Sequence, residues 1–178
     1  MRKKLHLNEK VYKEIISWIK TIGLTLVIVL VINKGIIVNA YIPTSSMEET
    51  IMTGDRVIAA RLAYITSEPE RGDIVVFKNP DDKSILYVKR IIGLPGEEVI
   101  IKDENIYING VLLEEEYILE AIRGEFGPYT VPNSKYFMLG DNRNGSKDSR
   151  VWNNTYLEKE DIIGKVIFRY FPNLKNYN

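Results

Sequence analysis

The sequence predicts a mainly β domain preceded by one N-terminal transmembrane helix. An uncharged apolar run lies near a basic N-terminus, and the residues after position 42 form many short β-rich segments separated by turn residues. The composition, 45% hydrophobic and 27% charged, is typical of a globular protein and excludes a disordered one. A length of 178 residues leaves room for one ordinary domain and a short appendage.

The N-terminal segment predicts a membrane anchor. Residues 1–20 contain six basic and two acidic residues, and residues 21–32 carry no charge. These twelve residues would reach only ~18 Å as a helix, whereas the hydrocarbon core of a bilayer is ~30 Å thick. A helix that begins at Ile15 reaches about 27 Å, if Lys20 extends towards the headgroups and Trp18 lies in the interface. We expect an anchor over residues 15–34, with residues 1–14 in the cytoplasm and the rest of the chain outside.

Three other interpretations of this segment stay open: a buried core helix, an interfacial helix and a cleaved signal peptide. Val38-Asn39-Ala40 resembles a small-x-small cleavage site that follows a basic and then an apolar region. Lys34 interrupts the approach to that site, and a cut there would leave the hydroxyl-rich residues that follow almost at a free end. The sequence therefore favours an uncleaved anchor.

Residues 36–178 are predicted to form one extracytoplasmic domain, either a compact β-barrel or packed antiparallel sheets. β-Branched and aromatic residues are concentrated in the segments 56–65, 73–78, 85–92, 98–102, 105–108, 135–139 and 161–170. Turn residues separate these segments, and Asn109-Gly110 fits a type I′ hairpin turn. We find no internal repeat and no second domain boundary.

The composition excludes most catalytic chemistries. The chain has no cysteine, which rules out thiol nucleophiles, disulfides and thiolate zinc sites. Its single histidine, His6, lies on the other side of the predicted anchor from every polar motif, so a hydrolase without a metal needs another base. The 24 basic residues balance 24 acidic ones, and this absence of net charge disfavours a nucleic-acid partner.

Two segments could supply a nucleophile and a base. Ile42-Pro43-Thr44-Ser45-Ser46-Met47 places three hydroxyls beside a restrained backbone, although a Ser/Thr-rich linker explains it as well. Tyr87-Val88-Lys89-Arg90-Ile91-Ile92 embeds two cations among strand-forming residues. Strand alternation directs Lys89 and Arg90 to opposite faces, so that one can meet solvent while the other is forced inside. A lysine that snorkels to the surface is the simpler alternative.

A lysine accepts a proton only in its neutral form. The ordinary pKa of ~10.4 would have to fall by about 3.4 for half of the amine to be neutral at neutral pH, which is ~4.6 kcal/mol. Burial in apolar surroundings can lower the pKa of a lysine by up to ~5. A buried Lys89 is therefore a possible general base.

A third polar segment covers residues 139–150, after a predicted strand. It is rich in groups that fix turns and form hydrogen bonds, so a solvated loop would explain it. Asp141 and Asp148 suggest a calcium loop, but the spacing of acids in an EF-hand and its closing Glu are absent. The sequence predicts no metal site.

Together and in order, these segments resemble the motifs of bacterial type I signal peptidases, membrane proteases that release exported proteins from their signal peptides. The matching segments are Pro43-Thr44-Ser45-Ser46-Met47, Gly54-Asp55-Arg56-Val57, Arg71-Gly72-Asp73-Ile74-Val75, Tyr87 to Gly96, and Gly140-Asp141-Asn142-Arg143 with Ser146, Asp148, Ser149 and Arg150. The likeness extends from the anchor to about Pro172. The short interval from Ser46 to Lys89 is similar to the small Gram-positive form.

The resemblance implies roles for six residues of the catalytic site. Ser46 would attack the scissile carbonyl, and Lys89 would take its proton and later activate the hydrolytic water, as in Ser-Lys catalysis. The backbone N–H of Ser46 and the hydroxyl of Thr44 would form the oxyanion hole. Ser146 would orient the lysine amine, and Asp148 with Arg150 would form a supporting ion pair. The resemblance implies no cofactor.

The resemblance also implies the substrate and the setting. Small S1 and S3 pockets would accept Ala-x-Ala, and the residues expected to shape them are Ala40, Ile42, Met47, Ile51, Tyr87 and Val88. The substrate would pair as an added strand. The expected partners are the signal peptides of exported pre-proteins, the lipid bilayer and, functionally, the export translocase. The expected location is the plasma membrane, with a single pass.

Three positions depart from the family's usual pattern: Glu49 replaces a common proline, Thr44 a common serine and Gly145 a common asparagine. None removes a reacting group. The alternatives are a catalytically inactive, membrane-tethered β-domain that binds signal peptides, a secreted binding protein with a cleaved leader, and another Ser-Lys protease of the same fold, such as a self-cleaving repressor of the LexA type. A repressor would carry a helix-turn-helix in place of the apolar anchor.

Overall fold

The computed structural model describes residues 2–118 and 120–177. Met1, Leu119 and Asn178 lie outside the described residues, as do the side chains of residues 2–7. The predictions that concern His6 and the basic residues before Asn8 fall in this undescribed part. The chain divides into two compact units, residues 1–36 and residues 37–178.

The first unit is helical. It consists of α1 (Arg2–Val31) and a π-helical turn (Ile32–Ile36). Within the described residues, one helical stretch, Asn8–Ile36, is long and apolar enough to cross a membrane, and its 29 residues correspond to about 43 Å. Its apolar side chains are exposed, as lipid-facing side chains are. The helix begins well before the predicted Ile15, and this N-terminal apolar helix is consistent with membrane anchoring.

The second unit is built from short strands, all paired antiparallel in residues 37–118 and 120–177. The strands are β1 (Ile37–Tyr41), β2 (Arg56–Ala60), β3 (Ile74–Lys78), β4 (Leu86–Gly93), β5 (Glu98–Lys102), β6 (Asn105–Ile108), β7 (Val111–Leu112), β8 (Phe126–Thr130), β9 (Lys135–Leu139), β10 (Leu157–Glu158), β11 (Ile162–Phe171) and β12 (Lys175–Asn176). A 3₁₀ turn (Lys159–Asp161) precedes β11.

The strands of this described region form two sheets. The larger has the order β1-β2-β11-β3-β4-β9-β10, with β12 paired to β11, and the smaller has the order β7-β6-β5-β8. Alternating side chains of β1, β2 and β3 bury one apolar cluster around Met47 and Ile51, while β5, β6 and β9 enclose another around Phe137. The predicted fold class, mainly antiparallel β sheets after one N-terminal apolar helix, is confirmed.

The predicted strand over residues 56–65 is too long. It ends at Ala60, because both neighbouring strands stop pairing there: Ile37 of β1 and Lys165 of β11 lie opposite Ala60. The next residues form a turn, in which the N–H of Ile65 donates to the carbonyl of Leu62. A β-rich composition thus continues past the point where hydrogen-bonding partners are available.

The Asn109-Gly110 prediction is confirmed. Both residues have positive φ, 51° and 80°, as a type I′ turn requires, and Ile108 lies opposite Val111 across the hairpin. Gly110 takes this conformation without the steric cost that a Cβ would add.

The possible cleavage site Val38-Asn39-Ala40 lies inside β1. Val38 pairs with Ala59 and Ala40 pairs with Val57, and the side chain of Val38 is buried in the core. Cleavage after Ala40 would remove the edge strand of the larger sheet. The fold therefore disfavours the interpretation as a cleaved leader.

Candidate active site

Ser46 lies in a turn between β1 and β2 that is fixed from two sides. Met47 next to it is 1% exposed and anchors the turn in the core, where its carbonyl accepts a hydrogen bond from the N–H of Ile51 at 2.8 Å. From the other side, the N–H of Asn142 donates to the carbonyl of Ser46 at 3.2 Å, and Asn142 Nδ2 donates to the carbonyl of Ser45 at 3.1 Å. The backbone of Ser46 is thereby held at a defined position.

Lys89 is brought to Ser46 by strand β4. It lies opposite Val75 of β3, its residue is 4% exposed, and its Nζ donates a hydrogen bond to Ser46 Oγ. The two residues are 43 positions apart in the chain. The fold thus places a buried amine in hydrogen-bonding contact with a buried hydroxyl.

The surroundings of this amine lower its pKa, so that a larger fraction of it is neutral than for a lysine in water. Burial lowers the pKa of Lys89 from 10.5 to about 8, Arg150 acts in the same direction, and the carboxylates of Asp148 and Asp141 oppose it. Burial is the largest of these effects. A surface lysine would lack it, so the snorkelling alternative is wrong.

Two further hydroxyls lie near the pair. Thr44 Oγ1 is 3.4 Å from Ser46 Oγ, within reach of any atom that bonds to the serine. Ser146 Oγ is buried and finds no hydrogen-bond partner among the described residues. Gly140 separates Ser146 from the nucleophile turn, because a Cβ built on Gly140 would come within 2.3 Å of both Ser146 Oγ and the carbonyl oxygen of Ser46. The loop of residues 140–150 packs here against the turn without any side chain between.

Asp148 and Arg150 form a two-point ion pair behind Lys89. Arg150 Nε and Nη2 donate to the two carboxylate oxygens of Asp148, each at 2.8 Å. Asp148 also accepts from the N–H of Gly140 at 3.1 Å, and it is fully buried. The pair ties the far end of the 140–150 loop to its beginning.

A mostly apolar cleft of about 520 Å³ leads to Ser46. Five of the six residues expected to shape substrate pockets line it: Ala40, Ile42, Met47, Tyr87 and Val88. Ile51 does not line the cleft. It is completely buried in the core behind Met47, so it can shape the cleft only from behind.

Arg90 does not face solvent, which corrects the expectation for the residue next to Lys89. It is 8% exposed, and its Nε and Nη2 donate to Asp141 at 2.9 and 2.6 Å. Both faces of β4 are covered at this point, because the loop of residues 140–150 packs over the second face. Lys89 and Arg90 thus have different partners, as alternation along a strand predicts, but neither side chain is exposed to solvent.

Sequence reasoning assigned no role to Asn142 or Glu115. Asn142 holds the carbonyls of Ser45 and Ser46, and Glu115 forms a buried ion pair with Arg143 in the same loop. Asn142 was quoted within a matching motif, but nothing in the sequence indicated its contacts. Glu115 lies in a run of three glutamates that looks like a solvated surface.

No group of three or more His, Cys, Asp or Glu side chains in the described residues is arranged to hold a metal ion. The chemical groups at the head of the cleft are a hydroxyl, an amine with a lowered pKa and a second hydroxyl. A serine hydroxyl next to a buried amine in an apolar cleft is an arrangement that suits a serine peptidase.

The comparisons with known proteins specify the family. The family model described as "Signal peptidase, peptidase S26" matches residues 15–171. The chain is 42% identical over 166 residues to "Probable signal peptidase I-2" of Synechocystis sp., covering 88% of this chain and 74% of that protein. It is 36% identical over 168 residues to "Signal peptidase I P" of Bacillus subtilis subsp. natto, covering 89% and 90%. The chain belongs to the signal peptidase family, peptidase S26.

A solved structure agrees. The crystal structure of a signal peptidase I from Enterococcus faecalis V583 is similar with a TM-score of 0.50 and 35% identity, covering 56% of this chain and 97% of that one. The chain accordingly has the activity of a signal peptidase I, a serine peptidase that removes signal peptides, and its substrates are the signal peptides of pre-proteins.

Proposed function

We propose that the chain is a membrane-anchored endopeptidase that cleaves exported pre-proteins after Ala-x-Ala sites, with Ser46 as nucleophile and Lys89 as general base. The observation that carries this proposal is the hydrogen bond between Lys89 Nζ and Ser46 Oγ in a buried site. A serine hydroxyl is a weak nucleophile until an adjacent base removes its proton. Lys89 is the titratable group that touches it.

In the first half of the reaction, neutral Lys89 takes the proton of Ser46 as Oγ attacks the carbonyl carbon of the second Ala, and the bond from this carbon to the next nitrogen then breaks. The resulting ammonium then gives that proton to the leaving amine, which becomes the N-terminus of the mature protein. The signal peptide stays bound to Ser46 as an ester. In the second half, Lys89 deprotonates a water that attacks this ester, and it returns the proton to Ser46 Oγ as the signal peptide leaves.

The pKa of Lys89 sets the fraction of active enzyme. With a pKa of about 8, on the order of a tenth of the amine is neutral at neutral pH, whereas an ordinary lysine would be neutral in less than about a thousandth of the molecules. An apolar peptide in the cleft displaces water from around the amine. We expect substrate binding to lower the pKa of Lys89 further.

Thr44 and the backbone N–H of Ser46 would donate to the oxyanion of the tetrahedral intermediate. Thr44 Oγ1 is 3.4 Å from Ser46 Oγ. In the tetrahedral intermediate the oxyanion and Ser46 Oγ are bonded to the same carbon, so a short movement would bring the Thr44 hydroxyl within hydrogen-bonding distance of the oxyanion. A single donor of this kind contributes about 3 to 4 kcal/mol to the transition state in other serine proteases. Threonine at this position keeps the hydroxyl of the family's common serine.

Ser146, Asp148 and Arg150 would direct the amine. The buried Ser146 hydroxyl has no other partner in the described residues, and it is free to accept a second N–H of Lys89 once the proton transfer turns that amine. The ion pair of Asp148 and Arg150 holds the loop that carries Ser146. Its net effect on Lys89 is a moderate one, because the two charges act on the pKa in opposite directions.

The cleft would select small side chains at alternate positions of an extended substrate. The residues that line it come from β1, with Ala40, from Ile42 directly after β1, and from β4, with Tyr87 and Val88. An extended peptide directs every second side chain the same way, which suits Ala-x-Ala. Met47 also lines the cleft, and as a buried side chain it would limit the size of the group that can enter.

The apolar helix would anchor the enzyme in the plasma membrane, near the translocase that delivers its substrates. Residues 1–14 would lie in the cytoplasm, residues 15–34 in the bilayer, and the protease domain, residues 36–178, outside. The excess of basic residues before the apolar stretch supports this orientation. A pre-protein held in the same membrane would present its cleavage site at the surface where the cleft works.

Cleavage of a purified pre-protein with an Ala-x-Ala site, in detergent or lipid vesicles, tests the proposal. The wild type should cut after the second Ala, and Ser46→Ala and Lys89→Ala should each lose activity by about 10⁴-fold or more. Lys78→Ala, at an exposed lysine on the neighbouring strand, is the control and should retain full activity. Substantial cleavage by Lys89→Ala would mean that another group is the base.

A further inference from the structure

A network of buried charges joins the segment after β7 to the loop of residues 140–150. This segment, residues 113–118, has no strand structure, and it is held to the smaller sheet where the N–H of Leu113 donates to the carbonyl of Ile106 at 2.8 Å. Two of its side chains, Glu115 and Tyr117, turn inward to the network. Neither belongs to the motifs from which the catalytic roles were inferred.

We propose that Glu115 and Tyr117 form a clamp that holds the 140–150 loop and strand β4 in the geometry in which Ser46 and Lys89 react. They are positioning residues and touch no substrate. This inference rests on the proposed Ser46–Lys89 dyad, because it assigns a function to the surroundings of that pair.

Glu115 fixes the loop through Arg143. Its two carboxylate oxygens accept from Arg143 Nη1 and Nη2 at 2.5 and 2.7 Å, and the side chains of Glu115 and Arg143 are 4% and 1% exposed. Arg143 Nε in turn donates to the carbonyl of Gly140 at 3.1 Å. Gly140 is the residue whose backbone packs against Ser46 and Ser146. Displacing Arg143 therefore displaces the contact that supports the nucleophile.

The same arginine connects to the groups around the base. Arg150 Nη2 donates to the carbonyl of Arg143 at 2.6 Å while it holds Asp148. Asp148 is the charged group with the largest effect on Lys89. Charge-assisted hydrogen bonds, which are the strongest kind in a protein interior, therefore connect Glu115 through Arg143 and Arg150 to Asp148, and Asp148 acts on the amine through its charge.

Tyr117 connects the loop to strand β4. Its hydroxyl donates to Glu115 Oε1, and its ring lies 3.7 Å from the guanidinium carbon of Arg90. Arg90 directly follows Lys89 in the strand and holds Asp141 of the loop through two hydrogen bonds. The tyrosine therefore supports both halves of the proposed dyad: its ring contacts Arg90 of the strand, and its hydroxyl holds the carboxylate of Glu115 that binds Arg143 of the loop.

The clamp should affect turnover and leave substrate binding nearly unchanged. The walls of the cleft come mainly from β1 and β4, and neither Glu115 nor Tyr117 lines it. The clamp instead supports the backbone on which Ser46, Ser146 and Asp148 depend. A misplacement of reacting groups by about 1 Å costs on the order of 100-fold in rate. Loss of the clamp should therefore lower kcat and leave KM nearly unchanged.

The test is steady-state cleavage of the Ala-x-Ala pre-protein by the full chain in lipid vesicles, with Glu115→Gln, Glu115→Asp, Tyr117→Phe and Tyr117→Leu. Glu115→Gln should lower kcat about 10- to 100-fold and leave KM within about twofold. Glu115→Asp keeps the charge and should recover part of that loss. Tyr117→Phe removes only the hydroxyl and should lose less than Tyr117→Leu, which also removes the ring.

Glu97→Gln is the matched control. Glu97 accepts two hydrogen bonds from Arg71, at 2.9 and 2.6 Å, in a pair that does not contact the 140–150 loop. It should lower the melting temperature while kcat stays unchanged. If kcat per folded molecule is unchanged in Glu115→Gln, or if KM alone changes, the clamp is refuted.

The same set of variants distinguishes failure of the clamp proposal from failure of the dyad proposal and from misfolding. Should Glu115→Gln fail to fold, the comparison of Tyr117→Phe with Tyr117→Leu decides in its place, and equal, wild-type kcat values for both overturn the clamp. Inactive Ser46→Ala and Lys89→Ala beside fully active clamp variants would refute the clamp and leave the dyad intact. Active dyad variants would refute both.

Discussion

Lys89 is buried at a cost to the stability of the folded protein. Because burial lowers its pKa from 10.5 to about 8, the folded chain binds the lysine's proton less tightly than the unfolded chain does. Below pH 8 both states are protonated and the full cost is present, on the order of 3 kcal/mol. As the pH rises from about 8 to 10.5, the unfolded chain still holds the proton that the folded chain has lost, so this cost disappears.

We therefore expect Lys89→Met to be more stable than the wild type at neutral pH, by on the order of 3 kcal/mol in the free energy of unfolding. Methionine has a similar length and no charge to desolvate. The difference should shrink as the pH rises through the interval from about 8 to 10.5. Urea unfolding at a series of pH values measures it.

Lys78→Met is the control for that measurement, since Lys78 ends the neighbouring strand with its side chain exposed. It should change the stability little and without a pH trend. A Lys89→Met variant that is no more stable than Lys78→Met at neutral pH would contradict the account of the buried amine.

At the level of residues, the sequence indicated the proposed reacting groups better than their supports. Ser46 and Lys89 stand out because their segments, taken together and in order, resemble the family's motifs, whereas each segment alone has a simpler explanation. Arg90, Asn142 and Glu115 do not, since their contacts come from parts of the chain 51, 97 and 28 positions away. The residue pattern within one segment does not indicate contacts with such distant parts of the chain.

At the scale of elements, the 140–150 loop is a rigid part of the site. Its beginning and end are joined by Asp148, which accepts from the N–H of Gly140, and by Ser149 Oγ, which accepts from the N–H of Met138 at 2.9 Å. Its first residue, Gly140, lies so close to the nucleophile turn that no larger side chain fits. The position of Ser46 therefore depends on the loop as much as on its own strand.

Gly140→Ala should lower kcat about 100-fold, because the new Cβ would meet the carbonyl oxygen of Ser46, a backbone atom that cannot rotate away. Gly164→Ala is the matched control: a Cβ on Gly164 would meet the carbonyl oxygen of Ala60 at 2.7 Å, away from Ser46. Both variants should lose stability, by about 1 to 3 kcal/mol. Equal kcat values for the two folded variants would contradict the role of the close contact.

Strands rich in β-branched and aromatic residues were predictable from the sequence. Strands that form only because a neighbouring strand pairs with them were not. The segments that became β3, β5, β6 and β9 had clear β-branched and aromatic enrichment. β8 contains Gly127 and Pro128, which oppose strand prediction, and β10 and β12 have only two residues each. β1 follows the apolar helix directly, so its hydrophobic residues were not separable from the anchor by composition.

At the scale of the whole molecule, the chain consists of an apolar helical unit and a β unit. The helical unit has the length and composition of a membrane span, and the β unit contains the proposed dyad, the cleft and the loop. The orientation proposed for them follows from the basic residues before the apolar stretch.

The absence of cysteine from the chain allows a direct test of this orientation. Lys10→Cys and Glu68→Cys each place a single thiol at an exposed position, one in each unit. A membrane-impermeant maleimide applied to intact cells or spheroplasts should label Glu68→Cys alone, and Lys10→Cys only after lysis. The reverse pattern would mean that the protease domain faces the cytoplasm.

The central claim is that Lys89 is a buried amine with a lowered pKa, and the most direct measurement is its titration. In the full chain, labelled at lysine nitrogen and assigned by comparison with Lys89→Met, NMR should give a pKa of about 8 for this amine. A Lys89 amine that titrates near 10.5, the ordinary value for lysine, would contradict the account, since almost none of such a group is neutral when Ser46 needs a base.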